Sequence, residues 1–197
     1  GIPARQDEGF EDQRRLLRDH EPVKSNVAAD LILIVGSTGA GKTTYARRLA
    51  NELGGVRFSI DEWMTTLFWS DSPQPIEFEW TIERVRRCEA QIMATVRELA
   101  SRRVPAILDL GFTTKEHRDR FRVFAAEQDL TATVHFIDVP ADQRWLRVSR
   151  RNSERGETYA MQVDRQMFDF MEAIWEPPRE AEWSENGGRR IAGPDCA

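Results

Sequence analysis

Cysteine is nearly absent from this chain: Cys88 and Cys196 are the only two in 197 residues. Two thiols without paired spacing build neither a disulfide framework nor a zinc site, so the expected compartment is a reducing cytoplasm. Histidine is almost as scarce. His20, His117 and His135 stand far apart, without the spacing of metal ligands. No apolar run approaches membrane-spanning length, and the N-terminus carries no signal-peptide pattern, so no membrane partner is expected. A dominant charge is missing too. The 28 basic residues stand against 33 acidic ones, a net charge of −5. That balance weighs against a long nucleic acid as partner, because a polynucleotide demands a basic track. There are no repeats and no sign of a second domain. With 40% hydrophobic residues, the chain can bury one substantial core.

What is present begins at Gly36. Gly36-Ser37-Thr38-Gly39-Ala40-Gly41-Lys42-Thr43 fits the pattern G-x-x-x-x-G-K-[ST] and directly follows the apolar run Leu31-Ile32-Leu33-Ile34-Val35. Helix formers continue from Thr44 to Ala50, so a buried strand feeds the loop and a helix leaves it. This context separates a phosphate-binding loop from a chance glycine-rich turn. Glycines let the backbone curl until successive amides point at phosphate oxygens, and the helix N-terminus adds partial positive charge. Lys42 is placed to reach the β- and γ-phosphates and Thr43 to ligate Mg²⁺. The candidate nucleotide-binding set is Gly36, Ser37, Thr38, Gly39, Ala40, Gly41, Lys42, Thr43 and Thr44. The ligands it implies are a nucleoside triphosphate and Mg²⁺.

From Leu31 onward, short apolar runs alternate with helical periods. Strands are expected at 31–35, 56–60, 104–110 and 131–139, with a weaker one at 189–192. Ile82, Val85, Cys88, Ile92, Val96 and Leu99 follow three-and-four spacing, which makes Cys88 a core residue on a buried helix face. Phe121, Phe124 and Ala125 mark a further helix. An Arg-rich helix is expected from about Ala141, a polar turn at 152–158, and a last long helix at 160–175 stopped by Pro177-Pro178. The fold class is α/β in three layers: a mainly parallel central sheet of about five strands, covered on both faces. Residues 1–29 read as an N-terminal extension, partly disordered or docked, with a short helix at 10–19. Residues 30–192 read as a single domain and 193–197 as a tail.

Two carboxylates end strands at the edge that carries the loop. Asp61 follows Ser59-Ile60, and two uses suit it: the N-cap of a helix starting at Glu62, or the group that takes a proton from an acceptor hydroxyl. Asp109 ends Val104-Pro105-Ala106-Ile107-Leu108 in the form of a Walker B strand, placed to hold Mg²⁺ beside Thr43 or, alternatively, to position the acceptor. Asp138 also ends an apolar run, but Pro140 follows, so it reads as a turn residue or a weaker candidate at the polar edge. Arg144, Arg147, Arg150, Arg151 and Arg155 crowd one helix and the turn beyond it. Arg144, Arg147 and Arg151 share a face. Such runs are usually solvated, yet beside a triphosphate they suit a lid that neutralises phosphoryl charge. Trp63, Phe68, Trp69 and Trp80 pack the core or wall an acceptor pocket, and at least one of Trp63 and Trp69 is expected to face the cleft.

The phosphate loop, the stretch Ser59-Ile60-Asp61-Glu62-Trp63-Met64, Ile107-Leu108-Asp109 and the Arg-rich helix together resemble the small P-loop kinases. That group includes chloramphenicol phosphotransferase, gluconate kinase, polynucleotide 5′-kinase and zeta-type toxins. The resemblance spans about residues 30–180. It implies a three-layer P-loop NTPase fold with an Arg-rich helical lid, ATP as donor, and Asp61 as the base or acceptor-orienting residue. It also implies Arg147 and Arg151 as the adenine-stacking and phosphate-contacting arginines. The catalytic set is then Lys42, Asp61, Arg147 and Arg151, with Thr43 and Asp109 at the metal. The expected activity is transfer of the γ-phosphoryl group of ATP to a hydroxyl of a small molecule, by a monomer or homodimer. The alternatives are a kinase of a nucleic-acid 5′-hydroxyl or a nucleotide-sugar and, from another class, a nucleotide-gated switch or ATPase acting on a protein partner.

Overall fold

The computed structural model describes residues 30–154 and 162–192. The expectations for 1–29, 155–161 and 193–197, including Arg155 and Cys196, lie outside them. In chain order the elements are β1 (Leu31–Val35), α1 (Lys42–Leu53), β2 (Val56–Ser59), α2 (Ile60–Phe68), α3 (Phe78–Ser101) and β3 (Ala106–Asp109). There follow α4 (Lys115–Glu127), β4 (Ala132–Asp138), α5 (Ala141–Glu154), α6 (Arg165–Ala173), α7 (Glu180–Ser184) and β5 (Arg189–Ala192). The sheet order is β2-β3-β1-β4-β5, and all four pairings are parallel. The expected α/β architecture of five strands is therefore present.

β1 lies at the centre because all five of its residues are apolar and a central parallel strand is covered on both faces. Leu31, Leu33 and Val35 pack with Phe58, Leu108, Phe136, Cys88 and Ile92 on the side of α3 and α4. Ile32 and Ile34 pack with Tyr45, Ala46, Leu49 and Ile107 on the side of α1. Each Leu, Ile, Val or Phe among them contributes roughly 1.5–3 kcal/mol on burial. Cys88 is buried as expected, within the stripe of α3. Where α4 passes over the sheet, the fully buried Arg118 is neutralised by Glu182 of α7, with Nε donating at 2.8 Å, and also donates to the Glu176 carbonyl. One charge pair thus pins the C-terminal segment against α4.

Several boundaries differ from the sequence expectation. Ile60 starts α2 instead of ending β2, because the Ser59 hydroxyl accepts from the Glu62 amide and caps the helix. β3 starts at Ala106, after Pro105, which has no amide hydrogen for a ladder. Residues 152–154 complete α5 and are not a turn. α6 starts at Arg165, where the Asp164 carboxylate accepts from the Met167 amide at 2.8 Å. Among the described residues, no helix is long and apolar enough to cross a membrane.

Candidate nucleotide and acceptor site

The loop that leaves β1 has the backbone a phosphate cradle needs. Gly39 and Gly41 have φ of 81° and 96°, the left-handed region that glycine alone enters at no steric cost. A Cβ on Gly39 would stand 2.6 Å from the Arg144 carbonyl oxygen and 2.8 Å from Val148 Cγ2, so the curl is fixed by close approach of α5. Gly41 is the N-cap of α1, with no side-chain cap and no acidic residue in the first turn. The N-terminal amides of α1 are therefore free of any side-chain capping bond, an anion site by geometry and dipole.

Lys42 donates from Nζ to the Ser37 carbonyl at 3.2 Å, across the mouth of the loop. Desolvation lowers its pKa. The carboxylates of Asp109 and Asp61 act against that, and Arg144 and Arg151 reinforce it. Thr43 Oγ1 donates to Asp109 Oδ2 at 2.9 Å, so the two residues expected at the metal are joined. Burial raises the Asp109 pKa, while Lys42, the Thr43 bond and Arg57 lower it. Arg57 of β2 donates to the same Oδ2 at 3.4 Å and is also bonded to Glu62, which Arg47 of α1 holds at 3.1 Å. Those two arginines lower the Glu62 pKa, Arg57 foremost.

Asp61 is exposed in the first turn of α2. The N-cap reading of Asp61 is corrected, since Ser59 has that task. Its carboxylate is near enough to interact with both Lys42 and Asp109. Trp63 is half-buried, edge-on to Phe58 with centroids 6.0 Å apart, whereas Trp69 is exposed. Trp80 stacks under the Arg84 guanidinium at 3.9 Å and lines a hollow of about 430 Å³ with Glu77, Ile82, Glu83 and Arg86.

The arginines of α5 have different fates. Arg144, expected on the lid face, is buried and fully engaged: Nε donates to the Val139 carbonyl, Nη1 to the Thr38 carbonyl, and Nη1 and Nη2 to the two oxygens of Glu172. Arg147 Nη1 donates to the Ala40 carbonyl at 3.2 Å, beside the loop. Arg151 is half-buried, and its Nε is buried without a hydrogen-bond partner among the described residues. Arg150 is exposed and paired with Glu154 at 2.8 Å, a solvated position. Asp138 accepts from Arg190 Nε of β5 at 2.8 Å. It also lines a hollow of about 290 Å³ with Ser37, Phe136, Arg144, Trp175 and Pro177. Adjacent strands lie about 4.8 Å apart, so the ends of β2 and β4 are separated by three spacings, ~14 Å. The hollow flanks the loop on the side opposite Asp61.

A triphosphate fits this cradle: helix amides without a side-chain cap, a lysine at its mouth, and an Arg151 donor that has no partner among the described residues and bears on Lys42. Among the described residues there is no cluster of three metal-ligating side chains. A Mg²⁺ ion would not need one, because phosphate oxygens and water would complete a site begun by Thr43 and Asp109. Sequence reasoning missed Glu172, Arg57 and Glu62. A charged residue inside the short run of β2 was the one visible signal, at Arg57.

A parallel sheet of this order with a glycine-lined loop between β1 and α1 defines a P-loop nucleotide-binding protein. The AAA domain family matches residues 31–178, and the chain belongs to that family. No curated protein matches the chain. Among solved structures it is similar to Kti12 of Chaetomium thermophilum in complex with ADP-AlF3, at TM-score 0.62 and 19% identity, over 84% of this chain and 90% of that one. It is similar to a gluconokinase from Sinorhizobium meliloti 1021, at TM-score 0.56 and 15% identity, over 84% and 82%. A third is the Mycobacterium tuberculosis APS kinase CysC in complex with AMPPNP and APS, at TM-score 0.52 and 17% identity, over 85% and 90%. At these identities the likeness is one of fold.

Proposed function

We propose that this protein is an ATP- and Mg²⁺-dependent phosphotransferase acting on a hydroxyl of a small molecule. The observation that carries the reading is an exposed carboxylate, Asp61, relieved of capping by Ser59 and in electrostatic reach of Lys42 at the edge that holds the phosphate loop. Donor and acceptor functions thus meet at one edge, over β1, β3 and β2. Two of the similar structures are kinases, which supports the same reading.

Loop amides and Lys42 bind and orient the β- and γ-phosphates. Mg²⁺, held by Thr43 and Asp109, would supply charge neutralisation between those phosphates. Asp61 orients the acceptor hydroxyl and takes its proton as the acceptor oxygen bonds to the γ-phosphorus. The bond from that phosphorus to the β–γ bridging oxygen breaks, and ADP leaves with the electron pair. Arg147 and Arg151 close over the transfer, and the Arg151 Nε, without a partner among the described residues, gains an acceptor when a phosphate oxygen arrives.

A second reading has its own observation. Leu67, Trp69, Ile76 and Phe78 are exposed between β2 and β3, an apolar surface that favours a nucleotide-gated factor acting on a protein. One experiment separates the two. γ-Labelled ATP is offered with sugars, antibiotics, nucleosides and 5′-hydroxyl oligonucleotides. Label appearing on a small hydroxyl compound supports the kinase. Hydrolysis without transfer to any of them, stimulated by a protein fraction, overturns it.

A further inference from the structure

The first half of the phosphate loop is held from outside. The Ser37 hydroxyl donates to Glu172 Oε1 at 2.5 Å, although 135 residues separate the two. Both Glu172 oxygens accept from Arg144 at 2.6 Å, as a bidentate pair. Arg144 then reaches back to the Thr38 carbonyl at 3.1 Å, and its own carbonyl closes the space over Gly39. Ser37, Thr38 and Gly39 are therefore each fixed by a contact that does not use the amide.

The clamp stands on a rigid base. Asn152 of α5 and the backbone of Val163, just before α6, hold each other by two hydrogen bonds of 2.7 and 3.2 Å, across the ends of segment 155–161. Val148, Val163 and Phe168 pack together beneath, and the Arg144 guanidinium lies 5.5 Å from the Phe168 ring centre. Arg144, foremost, and Ser37 hold the Glu172 carboxyl below the usual carboxylate range. With three donors on its two oxygens, it is neither a base nor a phosphate ligand.

We propose that Glu172 is a positioning residue that, through Ser37 and Arg144, presets the phosphate loop for nucleotide and ties it to α6. Loop residues left free would have to be ordered by the nucleotide itself, and that cost would appear as lost affinity. The inference rests on the nucleotide-binding half of the proposed function and not on the acceptor.

The test is calorimetric binding of Mg²⁺·ADP to the full chain, for wild type, Ser37→Ala, Glu172→Gln and the double variant, well below each melting temperature. Ser37→Ala keeps the Arg144–Glu172 pair intact and cuts only the link to the loop. Expected are losses of affinity of about tenfold for each single variant, and a double variant within about twofold of Glu172→Gln. If Glu172→Gln does not fold, Glu172→Asp takes its place, keeping the charge for Arg144 while withdrawing it from Ser37. Losses that multiply in the double variant, or a Glu172 variant that melts earlier yet binds ADP within twofold of wild type, overturn the proposal. Wild type that does not bind ADP at all refutes the proposed function instead.

Discussion

Replacing Asp61 by Asn separates catalysis from helix capping, because the structure assigns the cap to Ser59. Asp61 lies in the first turn of α2 and is exposed; its attraction to Lys42 is offset by repulsion from Asp109, and its charge contributes about 0.3–1 kcal/mol through the helix dipole. For a chain of this size that is a fall in melting temperature of about 1–4 °C. Loss of a positioned general base costs about 10²- to 10⁴-fold in rate, or roughly 3–5 kcal/mol of transition-state stabilisation. Transfer from γ-labelled ATP should therefore collapse while ADP affinity stays within about twofold, since no phosphate contact is removed. Ser59→Ala should behave in the opposite way, losing about 1 kcal/mol of stability and keeping transfer within a few-fold. Calorimetry, a thermal melt and the transfer assay on both variants complete the comparison. If Asp61→Asn transfers within about threefold of wild type, the catalytic reasoning is wrong.

Gly39→Ala should lose nucleotide binding and melt earlier, because a Cβ at φ 81° meets the Arg144 carbonyl at 2.6 Å; calorimetry checks the first and a melt the second. His135 is buried, bonded to the Tyr45 hydroxyl at 2.8 Å, and its pKa is lowered to about 3 from 6.5, by burial first and Arg189 second. Below pH 6.5 the unfolded chain binds a proton that the folded chain refuses. Stability is thus lost as pH falls from 6.5 toward about 3, by up to about 1.4 kcal/mol per pH unit. Asp109, with its raised pKa, opposes this, so the His135→Gln variant is compared directly: its melting temperature should fall less between pH 6.5 and 5 than that of wild type. On α5, Arg151→Ala should lower kcat by at least tenfold, whereas Arg150→Ala should leave kcat within about twofold and the melting temperature unchanged.

The phosphate loop was legible because its determinants are local: an apolar strand, two glycines and a helix start, all within about twenty residues. Thr43 was legible from the loop motif and Asp109 as a strand-ending carboxylate, and the structure joins them. Ser59 was not recognised as a cap because Asp61, two residues on, is an equally good capping type. Arg144 shows the limit of periodicity. Spacing put it on a face with Arg147 and Arg151, but nothing local reveals that Glu172, on the next helix, takes its guanidinium. Arg57 joins Asp109 and Glu62 through side-chain contacts that no spacing encodes.

The most direct test of a donor and an acceptor half meeting at one sheet edge is a crystal structure with Mg²⁺ and a non-hydrolysable ATP analogue. An acceptor oxygen in line needs about 3–3.5 Å to the γ-phosphorus and about 3 Å to its base, which puts the Asp61 carboxylate roughly 5–6 Å from that phosphorus. That separation is expected, with Lys42 on the γ-phosphate and Thr43 on the metal. An Asp61 carboxylate more than about 8 Å from the γ-phosphorus, with no water or acceptor that bridges the two, would contradict it.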